Sequence, residues 1–331
     1  MAKSKRVPEI DGNAPAGDGI RMVLNARLAE MCALRDLALD WKDPEGVHNM
    51  RVASRRLRGA LRDFLPYLRK RPLTKCLGEI RAIARALGRV RDYDVAIMGL
   101  EKIALKAPPD ISRGILRFAT FRSAGLEEAR LKLILALAPD TLAHIKDTFP
   151  VSLDNALRPA ERKSVSMITV GESRGTYRDI ARQILARRLE EFEDLGKSFY
   201  RPLRVKPLHD VRIAAKHLRY ALELFERSWG PQGSIPFQPV TERVAAMQSS
   251  LGGLHDCDVW IEDFGSAAIN DVPDLDFDKR ATTIWLLSYF VKLHGKHLGK
   301  ALTQWGAWQT DRIGEQFRDS LQTAEALQLQ Y

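Results

Sequence analysis

His48-Asn49-Met50-Arg51-Val52-Ala53-Ser54-Arg55-Arg56-Leu57-Arg58-Gly59-Ala60-Leu61-Arg62-Asp63-Phe64 decides how this chain is read. Placed on a helix at about 100° per residue, His48, Arg51, Arg55, Arg58 and Arg62 fall within one arc of roughly 80°. Met50, Ala53, Leu57, Leu61 and Phe64 fall within a similar arc on the far side. One face is made for a core, and the other is a ladder of cations. A near-copy follows at His209-Asp210-Val211-Arg212-Ile213-Ala214-Ala215-Lys216-His217-Leu218-Arg219-Tyr220-Ala221-Leu222-Glu223-Leu224-Phe225.

Working outward, the rest of the chain reads as helix. Apolar residues Ile20, Val23, Leu24, Leu28, Met31 and Leu34 recur at helical spacing over 19–39. Asp43-Pro44 supplies an N-cap and a proline at the first helical position for the His48 helix, and Pro66 ends or kinks it. A third helix is expected over 72–87. Leu73, Leu77, Ile80, Ala84 and Leu87 form its apolar side, and Arg71, Lys75, Arg81, Arg85 and Arg89 lie within roughly 120° on the other. Gly88 is expected to end or bend it, with Arg91-Asp92-Tyr93-Asp94-Val95 opening the next. A helix over 112–137 closes at Pro139, a short one over 140–148 ends at Pro150, and 151–170 reads as a junction. Helices over 173–199, from Pro207 to Gly230-Pro231, over 241–251 up to Gly252-Gly253, over 277–302 and over 311–327 complete the chain. No segment shows sustained period-2 alternation or a hairpin signal, so the fold class is all-α.

The repeat organises these helices. The His48 motif recurs 161 residues later, at position 209. Leu87-Gly88-Arg89-Val90-Arg91-Asp92-Tyr93-Asp94-Val95 recurs 164 residues later as Leu251-Gly252-Gly253-Leu254-His255-Asp256-Cys257-Asp258-Val259. Two matches in the same order argue for a duplicated unit, too long for a solenoid of short repeats. The expected architecture is two tandem four-helix-bundle-like halves about a pseudo-two-fold axis, with the basic helices lining a central pore. The expected divisions are a disordered tail over 1–18, a first half over 19–165 and a second over 166–331.

Composition fits this reading. Of 331 residues, 45% are hydrophobic, enough for a full core. Lys plus Arg number 52 against 42 Asp plus Glu, a formal net charge of +10 that points to an anionic partner. Cys32, Cys76 and Cys257 are far apart with no CxxC pair, as expected of reduced thiols in a cytoplasmic protein. The N-terminal residues lack the apolar stretch of a signal peptide. The longest apolar runs fall short of a membrane span, so no membrane partner is expected.

The chemistry follows from the ladder. An arginine fork matches a phosphate with two parallel hydrogen bonds, and arginines at i, i+4 and i+7 stand about 5–6 Å apart between neighbours along the helix. Like charges so spaced repel unless an anion is bound, and the first copy has few carboxylates nearby, with Asp63 off the arc. His48 and His209 lie on the cationic face, where arginine neighbours would repel a metal ion. Hydrogen bonding to phosphate suits them, with added charge as pH falls toward about 6.5. Asp92 with Asp94, and Asp256 with Asp258, read as helix caps or as partners of Arg91 and His255. His294 and His297, among lysines, read as surface residues. No GxSxG, P-loop, dinucleotide-binding or HExxH motif is present, so no enzyme activity, cofactor or metal is expected. Few aromatics interleave with the arginines, which counts against base stacking on single-stranded nucleic acid and leaves nucleic acid as a competing polyanion. A metal-dependent phosphohydrolase using the Asp pairs and histidines, and a protein binding nucleic-acid backbones, are the alternative readings.

HxxRVxxRRLRxxLxxF at 48–64 and HxxRIxxKxLRYxLELF at 209–225 resemble the two motifs of the CHAD (conserved histidine α-helical) domain family. The segments at 87–95 and 251–259 resemble its LGxxRDxDV elements. The resemblance covers about residues 19–329. It implies two helical bundles around a basic pore, binding of inorganic polyphosphate, association with polyphosphate granules and no well-established catalytic activity of its own. By the resemblance, His48, Arg51, Arg55, Arg58, His209, Arg212, Lys216 and Arg219 are polyphosphate contacts. The cationic faces add Arg62, Arg85, Arg89 and Arg91, and His255 stands at the position of Arg91. The halves are not equal: Ser249, Gly253 and His255 replace Arg85, Arg89 and Arg91, so the second copy carries less charge. The triphosphate-processing CYTH barrel found in some relatives, with its ExExK signature, has no counterpart here.

Overall fold

The computed structural model describes residues 10–158, 175–202, 204–229, 235, 237–270 and 277–326. Among these the chain forms eleven α-helices and no strand, as the periodicity predicts. They are α1 (Ala16–Cys32), α2 (Arg35–Ala38), α3 (Pro44–Phe64), α4 (Lys70–Ala104), α5 (Pro109–Ala136), α6 (Pro139–Leu157), α7 (Tyr177–Gly196), α8 (Val205–Phe225), α9 (Phe237–Asn270), α10 (Phe277–Thr310) and α11 (Ile313–Ala326). The order of elements repeats. The motif helices α3 and α8 have 21 residues each, and a short 3-10 turn ends each of them (Leu65–Tyr67 and Glu226–Trp229). Helices of 35 and 34 residues, α4 and α9, come next.

The chain divides into two compact units. The first takes residues 1–102 and 117–181, the second 103–116 and 182–331. The expected boundary at 165/166 lies outside the described residues. In the first unit, Asp43 caps α3 by accepting a hydrogen bond from the Glu45 amide at 2.9 Å, and Pro44 opens the helix. Such a cap contributes about 1 kcal/mol. The far arc of the motif is fully used: Met50, Ala53, Leu57, Leu61 and Phe64 are all buried, with Ile20, Val23, Leu24, Leu28 and Met31 of α1 in the same core. In the second unit the copy does the same, burying Val211, Ala214, Leu218, Leu222 and Phe225. Arg and His residues on the near arc are thereby held outward on a rigid, well-packed helix.

Several expectations are corrected. The tail reading fails over 10–18. Ile10 is buried, α1 begins at Ala16, and the Tyr177 and Arg178 amides donate to the carbonyls of Ala14 and Gly12 at 2.9 Å. Gly19 on α1 is required there, because the Tyr177 ring occupies the space a Cβ would take. Residues 1–9 lie outside the described residues, as does the Gly230-Pro231 stop.

Gly88 and Gly252-Gly253 break nothing, since α4 and α9 run straight through them. A helical glycine costs only about 1 kcal/mol relative to alanine. Burial of Leu87 and Val90 in α4, and of Leu251 and Leu254 in α9, outweighs that. Likewise α6 continues through Pro150, carried by buried Phe149, Leu153 and Ala156. No helix among the described residues is long and apolar enough to cross a membrane.

Candidate functional site

In the first unit the site is the near arc of α3 together with one side of α4. His48, Arg51, Arg55 and Arg62 are half-buried on α3 and Arg58 is exposed. On α4, Arg85 and Arg89 are exposed and Arg91 is half-buried. The structure brings these residues together across the two helices. His48 is held below its ordinary pKa by burial first, then by Arg91, with Arg55 and Arg51 adding to it and Glu45 opposing. The added charge expected near pH 6.5 therefore arrives at lower pH. Arg58 is likewise held below the usual guanidinium range, by burial and then by Arg81 and Arg85. Arg81 completes this cluster. The sequence had already placed Arg81 on the cationic arc, but only the packing of α3 on α4 sets it beside Arg58.

The face is not wholly unpaired. Arg51 lies 3.1 Å from the exposed Asp92 carboxylate, and Arg62 Nε lies 3.7 Å from Asp63, which is 1% exposed. Asp63 thus partners the ladder despite lying off its arc. Arg89 shares its surroundings with exposed Glu128. Arg91 Nη1 is buried with no hydrogen-bond partner among the described residues. Asp94 is buried and its carboxyl is pushed up by that burial, against Arg130 and Arg91. The capping role expected of the Asp pairs is excluded by geometry, because Asp92 and Asp94 sit in mid-α4 and Asp256 and Asp258 in mid-α9.

In the second unit, His209, Arg212, Lys216 and Arg219 are half-buried on α8, and His255 is half-buried on α9. The Nδ1 atoms of His209 and His255 are 3.3 Å apart and their rings 4.5 Å between centroids. His255 is held below its ordinary pKa by burial, then by Arg212 and His209, with Asp258 opposing. Arg219 is engaged by side chains of its own unit. It donates through Nε to Gln248 at 2.6 Å, pairs with Glu223, and lies over the Tyr220 ring at 4.8 Å. Its charge is already matched within the unit, so it is a weak candidate for an external anion.

Two histidines that read as surface residues belong here instead. His294 Nε2 on α10 lies 3.1 Å from Asp258 Oδ1. His297 packs on Gly253, where a Cβ would come within 2.4 Å of its ring. The glycine that replaces Arg89 of the first copy is therefore a seat for an imidazole. No spacing in the sequence links 253 to 297, since the contact depends on how α10 packs on α9. Cys257 beside them is buried, with its thiol pushed up to about 12 by burial and by Asp256 and Asp258, which leaves it unreactive at neutral pH.

Chemically, both units present guanidinium, ammonium and imidazole donors on a firm helical face, with few matching carboxylates. That arrangement can hold several phosphate groups of one polymer at once.

The family model described as the CHAD domain matches residues 22–263. Among solved structures, the crystal structure of the CHAD domain from the plant Ricinus communis aligns with a TM-score of 0.67 and 20% identity, covering 91% of this chain and 95% of that one. PptA from Streptomyces chartreusis aligns with a TM-score of 0.63 and 15% identity, covering 88% of this chain and 100% of that one. No curated protein matches the sequence. The duplicated motifs, the all-α fold they build and a family match over most of the length agree, and the chain belongs to the CHAD domain family.

Proposed function

We propose that this chain binds inorganic polyphosphate without turning it over, through the basic faces of α3–α4 and α8–α9, and that this binding brings it to polyphosphate granules in the cytoplasm. The observation that carries the reading is the cluster of Arg58, Arg81 and Arg85. Burial and mutual repulsion hold the Arg58 guanidinium below its usual range. A polyanion laid along the face relieves the repulsion among these three guanidinium groups. Membership of the CHAD domain family supports the same partner. Because binding a polyanion releases its counterions, affinity should fall steeply with salt, as it does for nucleic acids.

The decisive experiment is competition between long-chain polyphosphate and duplex DNA, at equal phosphate concentration and physiological salt. Polyphosphate is expected to displace DNA; equal or preferential DNA binding would assign the faces to nucleic-acid backbones instead. Phosphate release from tripolyphosphate with Mg²⁺ or Mn²⁺, lost on Asp94→Asn or Asp258→Asn, would replace the binding role with a hydrolytic one.

A finer outcome separates the arginines. Arg212→Ala is expected to weaken polyphosphate binding about tenfold, the loss of one charge-assisted contact. Arg219→Ala, whose charge is already matched by Glu223, is expected to change it less than about threefold. Isothermal titration of the two variants checks this, and equal losses would return Arg219 to the contact surface.

A further inference from the structure

Of the positions at which the two units differ, one exchanges a permanent charge for a titrating one: Arg91 in the first corresponds to His255 in the second. An arginine is charged at any accessible pH, whereas a histidine changes charge near neutrality. His255 also does not stand alone. Its Nδ1 is 3.3 Å from Nδ1 of His209, so the two rings share one hydrogen bond. Such a bond needs one N–H donor and one bare nitrogen acceptor. If both rings became imidazolium, two N–H groups would face each other and the contact would be repulsive. Without an anion the pair holds at most one extra proton.

The groups around the pair reinforce this. On α8, Arg212 disfavours charge on His255. On α9, Asp258 favours it, yet that carboxylate is already engaged by His294 of α10 at 3.1 Å. Asp256, next to His255, acts on His297 of α10, which is seated on Gly253 and flanked by Lys296 and Lys300. The pair therefore faces one arginine, Arg212, and one carboxylate, Asp258, which is engaged by His294. A phosphate chain arriving here brings acceptor oxygens for both Nδ1–H groups and negative charge to offset Arg212.

We propose that the second unit takes up a proton at the His209–His255 pair when it binds the phosphate chain, so that its grip tightens as pH falls, and that His255 is the residue that makes this half of the protein proton-dependent. This rests on the polyphosphate reading above. The reaction balances simply: one proton moves from solvent to the bare Nδ1, and each ring then donates to phosphate oxygen instead of to its neighbour. In the first unit His48 faces Arg91, whose charge is permanent, so most of the proton dependence belongs to the second unit.

The test is titration of the full chain with long-chain polyphosphate, whose internal phosphates do not titrate near neutrality, at about pH 7.5 and about pH 5.5. The titrations are run in buffers of different ionisation enthalpy, with circular dichroism as the folding control. Wild type is expected to bind roughly tenfold more tightly at the lower pH, one pKa unit of linkage, with an enthalpy that varies with the buffer. His255→Arg, which restores the arginine of the first copy, is expected to bind at both pH values with less than about threefold difference. His209→Gln should flatten the dependence in the same way and serves if His255→Arg does not fold. His48→Gln should weaken binding while keeping most of the slope. A pH-independent wild type, or an unchanged slope in folded His255→Arg and His209→Gln, overturns the proposal and leaves the polyphosphate reading standing. Failure of wild type to bind at either pH overturns both.

Discussion

Replacing Arg51, Arg55, Arg212 and Lys216 together by alanine is expected to lower the affinity for long-chain polyphosphate by on the order of ten-thousandfold, at about tenfold per charge-assisted contact. All four side chains lie on the near arcs of α3 and α8, opposite the buried residues of the same helices. Arg51 pairs at 3.1 Å with exposed Asp92, a surface contact worth little to stability. Helical content should therefore be unchanged by circular dichroism. The dependence of log Kd on log salt should flatten by roughly 3, since four phosphate contacts no longer release counterions. Binding by this variant as tight as wild type would remove the two arcs from the site.

The opposite face of the same helix gives the second large effect. Phe64→Ala is expected to destabilise the first unit by about 3–5 kcal/mol, because the ring is fully buried and its removal leaves a cavity that a packed core fills poorly. Phe64 also lies 6.3 Å from the Tyr177 ring, which is itself seated on Gly19, so neither neighbour can readily move into the gap. Chemical denaturation should show an earlier transition. Protein that remains folded should bind polyphosphate with near-normal affinity, because Phe64 lies on the buried arc of α3 and not on the cationic one. A loss of affinity without a loss of stability would contradict the division of labour between the two faces.

How much of this was legible in the sequence depends on the range of the interaction. The N-cap at Asp43, the buried arc from Met50 to Phe64 and the cationic arc beside it are local, and spacing alone reveals them. The helix stops assigned to Gly88, Gly252-Gly253 and Pro150 were misread. A breaker costs a fixed small amount, while the apolar residues around it gain from partners elsewhere in the chain. The histidine cluster was hidden for the same reason. Gly253 read as a lost charge, and His294 and His297 read as surface, until the packing of α10 on α9 set imidazoles against Gly253 and Asp258. Arg219 was the reverse case, a residue that fits the motif but spends its charge on Glu223 and Gln248.

The unbroken course of α4 through Gly88 has a consequence for which polymers are held. Arg81, Arg85 and Arg89 are exposed on one continuous helix, about 12 Å from first to last at 1.5 Å per residue. A helix end at Gly88 would let Arg89 swing away from the other two; an unbroken helix keeps the three in register. A chain anchored at one of them presents its next phosphates to the others at a high effective concentration, so each further contact is intramolecular. If the chain binds polyphosphate as proposed, avidity should build with the length of the polymer, and the face should favour long chains over short ones.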